Sequence, residues 1–536
     1  MMSSFWRLAL GLLAYFIVAT VADEYHPRAT FSRLKSSKIS SSEQSTEYWV
    51  NKAQSILADK LKQTSNLNIN RAKNIILFLG DGMSVHTITA TRALLGDSSA
   101  QVSFERFPYT GLSKTYAVDK RVPDSASTST AYLSGVKGNY GTIGVNADVL
   151  KYDCESATDA STHTESIAKW AQDAGKWAGL VTTARVTHAS PAGVYAHTAQ
   201  RSWEYDAAIE KDGCDATKNV DIARQLVEWP VGKGLRVVMG GGRRNFIDEN
   251  EYDEEETEGR RTDGRNLIEE WLADKENQNA SAQYVWNKEG LENVDLNNTE
   301  YLLGLFSSSH CPYHGDLERK DLVDSVPSLS EMTKAAIELL SQNEEGYFLF
   351  VEGARIDMAH HNTYAHRSLE DTAEFARAVE IAQDLTDSQD TLIVVTSDHS
   401  HTMTIGGFPT RGSNIFGLSP EKADDDLPYT ILSYANGPGF SKTYSSKYGR
   451  KDLSDADLDK PKYKYMATVP LDSETHGGDD VAVFALGPYA HYFSGNYEQS
   501  NIPALMAYAA DIGPFKQSAM TKAKLTKKWK KRVHKD

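Results

Sequence analysis

Residues 74–81 read NIILFLGD: five apolar residues after Asn74, then a glycine, then a carboxylate. The run does not alternate, so it is the pattern of a strand covered on both faces rather than of a half-exposed one. Four more runs have the same form: Gly179-LVTTA, Leu235-RVVMGG, Tyr347-FLFVEG and Thr391-LIVVTS. Between them lie helical patterns at Glu165–Ala174, Val220–Trp229, Met332–Leu340 and Arg367–Leu385. Unalternated strands separated by helices predict an α/β fold, a large and mostly parallel central sheet with helices on both faces.

The chain outside this frame sets the wider bounds. Its 536 residues are 40% hydrophobic and 24% charged, enough to bury a large core and inconsistent with a disordered or fibrous protein. The net charge is −16, yet residues 516–536 hold nine Lys or Arg against one Asp. The body is therefore acidic and argues against specific nucleic-acid binding, while the basic tail leaves a weak contact with an anionic matrix or membrane surface open. Arg7, the apolar run Leu8–Val18 and the small residues before Asp23 form a secretory-signal pattern, which predicts a secreted, extracellular protein. Asn279-Ala-Ser and Asn297-Asn-Thr are glycosylation sequons in polar stretches. The organisation read from these features is 1–22 signal peptide, 23–45 Ser-rich leader, 46–406 catalytic domain, 407–470 insert, 471–515 remainder of the catalytic domain, and 516–536 basic tail. Eight carboxylates fall between Asp248 and Glu258; a solvated loop is the simpler reading, and a calcium loop lacks EF-hand spacing.

The chemistry is concentrated where strands end. Asp81, Glu352 and the pair Asp398-His399 each follow or close an apolar run, so three strands deliver polar groups to one edge of the sheet, where ligands of open parallel sheets bind. One such Asp is usually a helix cap; three together are not explained that way. Asp357 and His361 are four apart and share a helical face. With His401, Glu474 and His476 nearby in the text, the donors are carboxylate and imidazole without thiolate, which suits catalytic rather than structural zinc. Ser125, in PDSASTSTAY, stands at a turn into a helix. A cap is the common role for such a hydroxyl, but the same place suits a nucleophile facing an anion. No G-x-S-x-G elbow surrounds it.

The strings IILFLGDGMS, VPDSASTSTAYLSGVKGN, TTARVTHASPAGVYAHTAQR, FLFVEGARIDMAHH, TSDHSHT and ETHGGDDVAVFALGP resemble, in order, the active-site blocks of animal-type alkaline phosphatases. The resemblance implies a phosphomonoesterase of broad specificity with two zinc ions and one magnesium ion per subunit and a phosphoserine intermediate. Ser125 would be the nucleophile and Arg201 the phosphate clamp. Asp81, Asp398 and His399 would hold one zinc, and Asp357, His361 and His476 the other. Asp81, Ser190 and Glu352 would hold magnesium, with His188 and His401 behind the ligands. Cys154 and Cys214 match a family disulfide, leaving Cys311 odd. The insert resembles the family's crown, and the helical pattern Glu47–Lys62 resembles the arm that embraces a second subunit, so a homodimer is implied. Three departures stand out. Phe408 replaces a tyrosine at the partner-facing tip of the crown. Ser307 and Val326 replace two calcium ligands, leaving only Glu251 and Phe306 matched and making calcium doubtful. The chain ends in lysines where relatives carry a lipid-anchor signal. A phosphodiesterase of the same superfamily, or a matrix-binding protein with a decayed site, are the alternatives.

Overall fold

The computed structural model describes residues 67–517 and, ahead of them, Asn51, Gln54 and Ser55. The signal and leader, most of the helical pattern Glu47–Lys62, and nearly all of the basic tail lie outside the described residues. The strands, in chain order, are β1 (Asn74–Gly80), β2 (Tyr109–Lys114), β3 (Trp177–Arg185), β4 (Val237–Gly241), β5 (Ala282–Val285), β6 (Tyr301–Leu305), β7 (Tyr347–Gly353), β8 (Thr391–Thr396), β9 (Ser400–His401), β10 (Met403–Ile405), β11 (Leu432–Gly437), β12 (Tyr444–Ser445), β13 (Gly449–Arg450), β14 (Ala467–Pro470), β15 (His476–Gly477), β16 (Val481–Leu486) and β17 (Gly495–Glu498). Ten of them form one sheet in the order β17-β2-β16-β8-β1-β7-β3-β4-β6-β5. All its pairings are parallel except those of β16, which runs against both β2 and β8.

The unalternated sequence of β1 follows from its place in the middle. Ile75, Leu77 and Leu79 enter the core on one face, with the helices Ile167–Asp173 and Ile502–Ala510. Ile76 and Phe78 enter the core on the other, with Leu329–Leu340 and Ala365–Leu385. Residues of β7 and β8 divide between the same two cores. Each fully buried side chain of this size contributes roughly 1.5–3 kcal/mol, so one polar residue in β1, β7 or β8 would cost a sizeable part of the net stability of a domain.

Register then fixes the site. Leu79 lies opposite Glu352 of β7 on one side and opposite Thr396 of β8 on the other. Asp81 and Asp398 thus leave their strands at the same level, two residues past Leu79 and Thr396, while Glu352 stands level with Leu79 on the adjacent β7. The region predicted as an insert, 407–470, holds β11, β14, the hairpin pair β12-β13 and one five-residue helix, Gly439–Thr443, while the third strand of its sheet, β10 (Met403–Ile405), lies just before the predicted boundary. Its core includes Ile415, Phe416, Ile431, Tyr434 and Tyr465, and it shares that core with Ala90 and Leu369 of the main body.

The acidic stretch from Asp248 to Glu258 is less free than a solvated loop. The fully buried guanidinium of Arg243 lies among Asp253 (2.9 Å), Glu254 (3.3 Å) and Glu255. Cys154 and Cys214 form a disulfide and Cys311 is buried and free. Asn279 and Asn297 are exposed. No helix among the described residues is long and apolar enough to cross a membrane.

Candidate active site

The sequence places Ser125 at the first residue of the helix Ser125–Ser134, with Asp124 as its cap accepting from Ser127 N–H at 3.2 Å. The run of Ser, Ala and Thr in that helix has a packing reason. It lies against the segment carrying Ser190, where a Cβ added to Gly193 would stand 2.6 Å from Ser129 Cβ. Small residues on both sides permit the close approach, which brings the helix bearing Ser125 against the turn bearing Ser190. Ser125 Oγ meets His399 Nε2 at 3.2 Å.

Around His399 the first group of donors closes: Asp398 Oδ2 at 3.0 Å and Asp81 Oδ1 at 3.6 Å. Asp398 Oδ1 also accepts from Gly82 N–H at 2.9 Å. Gly82 has a φ of +67°, and a Cβ there would stand 2.4 Å from the His401 ring, so both backbone and space require glycine. The second group forms around Asp357 Oδ1, with His361 Nε2 and His476 Nε2 each at 3.3 Å, and the two imidazole nitrogens 3.1 Å apart. The helix Arg355–His361 supplies Asp357 and His361 on one face, as their four-residue spacing implies. His476 comes from β15, which pairs with β9 so that His476 faces His401.

The electrostatics of this place call for cations. Asp81, Glu352, Asp398 and Asp357 are all buried. Burial raises the Asp81 carboxyl well above the usual carboxylate range, and Asp398, Asp357 and Glu352 raise it further. Burial likewise pushes Glu352 up to about 8. Burial acts on Asp398 too, but the neighbouring His399 and the Gly82 N–H together offset it and hold the carboxyl down to about 2. Both oxygens of Asp81, Oε1 of Glu352, Oδ2 of Asp398 and Oγ of Ser190 are buried without a hydrogen-bond partner. Buried polar atoms are rarely left so. Unpartnered carboxylate oxygens beside imidazoles fit divalent cations, and Asp81-Asp398-His399 and Asp357-His399-His401-His476 each bring their donor atoms within 4.8 Å of one another.

Arg201 is the positive group at the edge. Its NH1 bonds Asp124 Oδ2 at 2.9 Å and its NH2 lies 3.5 Å from His188 Nε2. A quarter of its side chain is exposed while Asp124 is buried, so the guanidinium is anchored on one side and open on the other. His188 Nδ1 has no partner, and its ring packs edge-on to His310 at 5.2 Å.

Two residues in these contacts, Asp124 and Thr182, had no role assigned from the sequence, and Glu474, read there as a candidate donor, instead supports other residues. Asp124 orients Arg201. Thr182 donates its hydroxyl to Glu352 Oε2. Glu474 accepts from His401 Nδ1 at 2.5 Å, while its other oxygen takes both donors of Thr402, and its carbonyl meets His361 Nδ1 at 2.5 Å. The signal for Glu474 was its place two residues before His476; for Asp124 and Thr182 only the fold shows the partner.

Comparison with known proteins finds relatives over most of the chain. The family model described as alkaline phosphatase matches residues 72–512. A membrane-bound alkaline phosphatase of Bombyx mori is 45% identical over 501 residues, covering 92% of this chain and 90% of its own. The tissue-nonspecific alkaline phosphatase of Gallus gallus is 45% identical over 484 residues, covering 88% and 91%. Among solved structures, the alkaline phosphatase of Thermus thermophilus superposes with a TM-score of 0.58 at 24% identity, over 83% of this chain and 92% of that one.

Proposed function

The chain belongs to the alkaline phosphatase family and is a phosphoric monoester hydrolase, and on that premise we propose that Ser125 is its nucleophile and Arg201 its phosphate clamp. The observation that carries the reading is the set of unpartnered buried oxygens on Asp81, Asp398, Glu352 and Ser190, gathered near Ser125, which faces the His399 imidazole from a helix start. Asp81, Asp398 and His399 would hold one zinc; Asp357, His361 and His476 would hold the second; Asp81, Ser190 and Glu352 would hold magnesium. When bound, these cations supply positive charge that lowers the pKa of a nearby hydroxyl and offsets the charge on phosphoryl oxygens.

The chain's own residues do the rest. The open side of Arg201 binds two non-bridging oxygens and turns phosphorus toward Ser125. Ser125 Oγ attacks phosphorus, the ester P–O bond breaks, and the alcohol leaves with a proton. Water then cleaves the phosphoserine and releases inorganic phosphate. Asp124 keeps Arg201 in place through both steps, and the helix N-terminus beneath Ser125 favours the anion electrostatically. Nothing in this machinery touches the alcohol itself, so many monoesters are substrates.

We also read the mature protein as secreted, glycosylated at Asn279 and Asn297, and dimeric, with Phe408 at the tip of the insert, 55% exposed, reaching the partner. The basic tail would give weak retention on an anionic matrix. The core reading is tested by hydrolysis of a chromogenic phosphate monoester and its diester before and after chelation, with zinc and magnesium restored, and by phosphoenzyme trapping in Ser125→Ala. Metal-dependent monoester turnover, with no phosphoenzyme in the variant, is expected. Diester preference, or near-normal turnover in Ser125→Ala, would overturn it.

A further inference from the structure

Residues 139–154 run alongside the segment that carries Arg201. Ile143 and Thr198 exchange backbone hydrogen bonds of 3.0 and 2.8 Å, Tyr152 N–H donates to Ala199 O at 3.2 Å, and Arg201 N–H donates to Gly141 O at 2.9 Å. Gly141 N–H reaches Asp124 Oδ1 at 3.0 Å, the same carboxylate that anchors the guanidinium. Gly141 has a φ of +82°, and a Cβ there would stand 2.8 Å from Cδ and 2.9 Å from Cε of Lys151. The absent side chain is the space in which the lysine methylenes lie. Lys151 Nζ ends 5.3 Å from the Tyr140 ring centre and 5.1 Å from that of Tyr152. Among the described residues no carboxylate pairs with it.

The order outward from the chemistry is graded. Ser125 is buried, the Arg201 side chain is 25% exposed, and Tyr140 and Tyr152 are 37% and 50% exposed. Tyr140 is close enough that Asp124 and Arg201 both act on its hydroxyl. Two aromatic faces hold an ammonium without cancelling its charge. A lysine is also a compact charge that meets carboxylate or phosphate equally, without the planar match an arginine demands. The segment paired with that of Arg201 thus carries a positive charge that the phosphate clamp does not use.

We propose that Lys151, held by Tyr140 and Tyr152 beside Arg201, is a specificity-determining residue that receives a second anionic group, a carboxylate or phosphate, on the alcohol part of the substrate. The inference rests on the phosphomonoesterase reading and narrows it: among monoesters, those with a second anion outside the metal cluster are favoured. The contact is at the rim and partly solvated, so its effect is modest.

The test compares kcat/KM for 4-carboxyphenyl phosphate with that for phenyl phosphate, using the full chain with zinc and magnesium supplied. Lys151→Met keeps the methylene packing over Gly141 and removes the charge; Lys151→Arg keeps the charge; Lys334→Gln removes an exposed lysine from the helix Leu329–Leu340. The ratio of the two substrates is expected to fall about two- to five-fold in Lys151→Met, to return in Lys151→Arg, and to hold in Lys334→Gln. Taking the ratio across variants cancels the different leaving abilities of the two phenols. In the wild type the ratio should decline with added salt, because exposed charges are screened; this arm needs no variant to fold. A ratio unchanged in Lys151→Met, an equal fall in Lys334→Gln, or a wild-type ratio flat in salt overturns the proposal. Wild-type enzyme that hydrolyses neither ester overturns the phosphomonoesterase reading along with it, whereas hydrolysis of both at a ratio indifferent to Lys151 overturns this inference alone.

Discussion

Replacing Glu474 with glutamine tests how the second donor group is held. Glu474 is almost fully buried, and each of its oxygens is used: Oε2 by His401 Nδ1 at 2.5 Å, Oε1 by Thr402 N–H at 2.7 Å and the Thr402 hydroxyl at 2.5 Å. His401 spans from there to Asp357 Oδ1 at 2.7 Å. Burial alone would lower the His401 pKa, but the two carboxylates outweigh it and push it up to about 10, so the ring bridges them as an imidazolium. In Glu474→Gln the amide oxygen stays with the two donors of Thr402, and the NH2 is left facing Nδ1. The ring must then give up that proton to keep a hydrogen bond, and the positive charge beside Asp357 goes. A buried charge-assisted hydrogen bond is replaced by a neutral one, a loss of about 1–1.5 kcal/mol. Asp357, the hub for His361 and His476, becomes less well fixed. Removing such a support behind a metal ligand typically costs about 10–100-fold in metal affinity or activity. Denaturant unfolding of chelator-treated protein reads the first quantity, and competition for zinc with a chromogenic chelator reads the second. A variant with wild-type unfolding midpoint and wild-type zinc retention would refute the claim that the Glu474–His401 bridge positions Asp357.

Asp371 offers a pH test away from the donor groups. Burial pushes its carboxyl up to about 8 despite Arg355, against about 4 in an unfolded chain. Its contribution to stability is therefore full below about pH 4 and is lost as pH rises toward 8. Asp371→Asn should gain on the wild type steadily across that window in urea unfolding, and an identical difference at pH 5 and pH 8.5 would contradict the assignment. The Cys154–Cys214 bridge spans a sequence separation of 60. Loop-closure entropy for that length corresponds to about 4 kcal/mol, so the double serine variant should melt well below the wild type, and an unchanged melting temperature would count against the bridge's structural role.

The central strands were legible because both their faces are buried, which leaves an apolar run with no competing interpretation. β2, YTGLSK, alternates and is half exposed, and it gave no such signal. The antiparallel course of β16 was also unreadable, since it is fixed by pairing Val481 with Ser113 and Phe484 with Val395. These are partners that only the assembled sheet brings together. The site shows the same division. Asp81, Glu352, Asp398 and the pair Asp357 and His361 could be read locally, from strand ends and from one helical turn. The contacts that orient them could not, because Asp124 meets Arg201 across 77 residues and Glu474 meets His401 across 73.

Counting carboxylates in the text would have pointed to the wrong place. The densest acidic stretch, Asp248–Glu258, meets a counter-charge from within the chain: Arg243 is wholly buried among Asp253, Glu254 and Glu255, donating from Nε to Asp253 and from NH2 to Glu255 while NH1 goes to the Leu305 carbonyl. In the sparser group at the ends of β1, β7 and β8, no arginine or lysine among the described residues pairs with Asp81, Glu352 or Asp398, for Arg201 spends one arm on Asp124 and lies with the other 3.5 Å from His188. Taking several carboxylates out of water without compensation costs far more than a fold of ordinary stability can bear. What separates the two is whether the oxygens find partners, and those of Asp81 find none among the described residues. A chain that buries such oxygens at the ends of its central strands is built around cations, and the serine and arginine set at their edge give those charges an anionic substrate to act on.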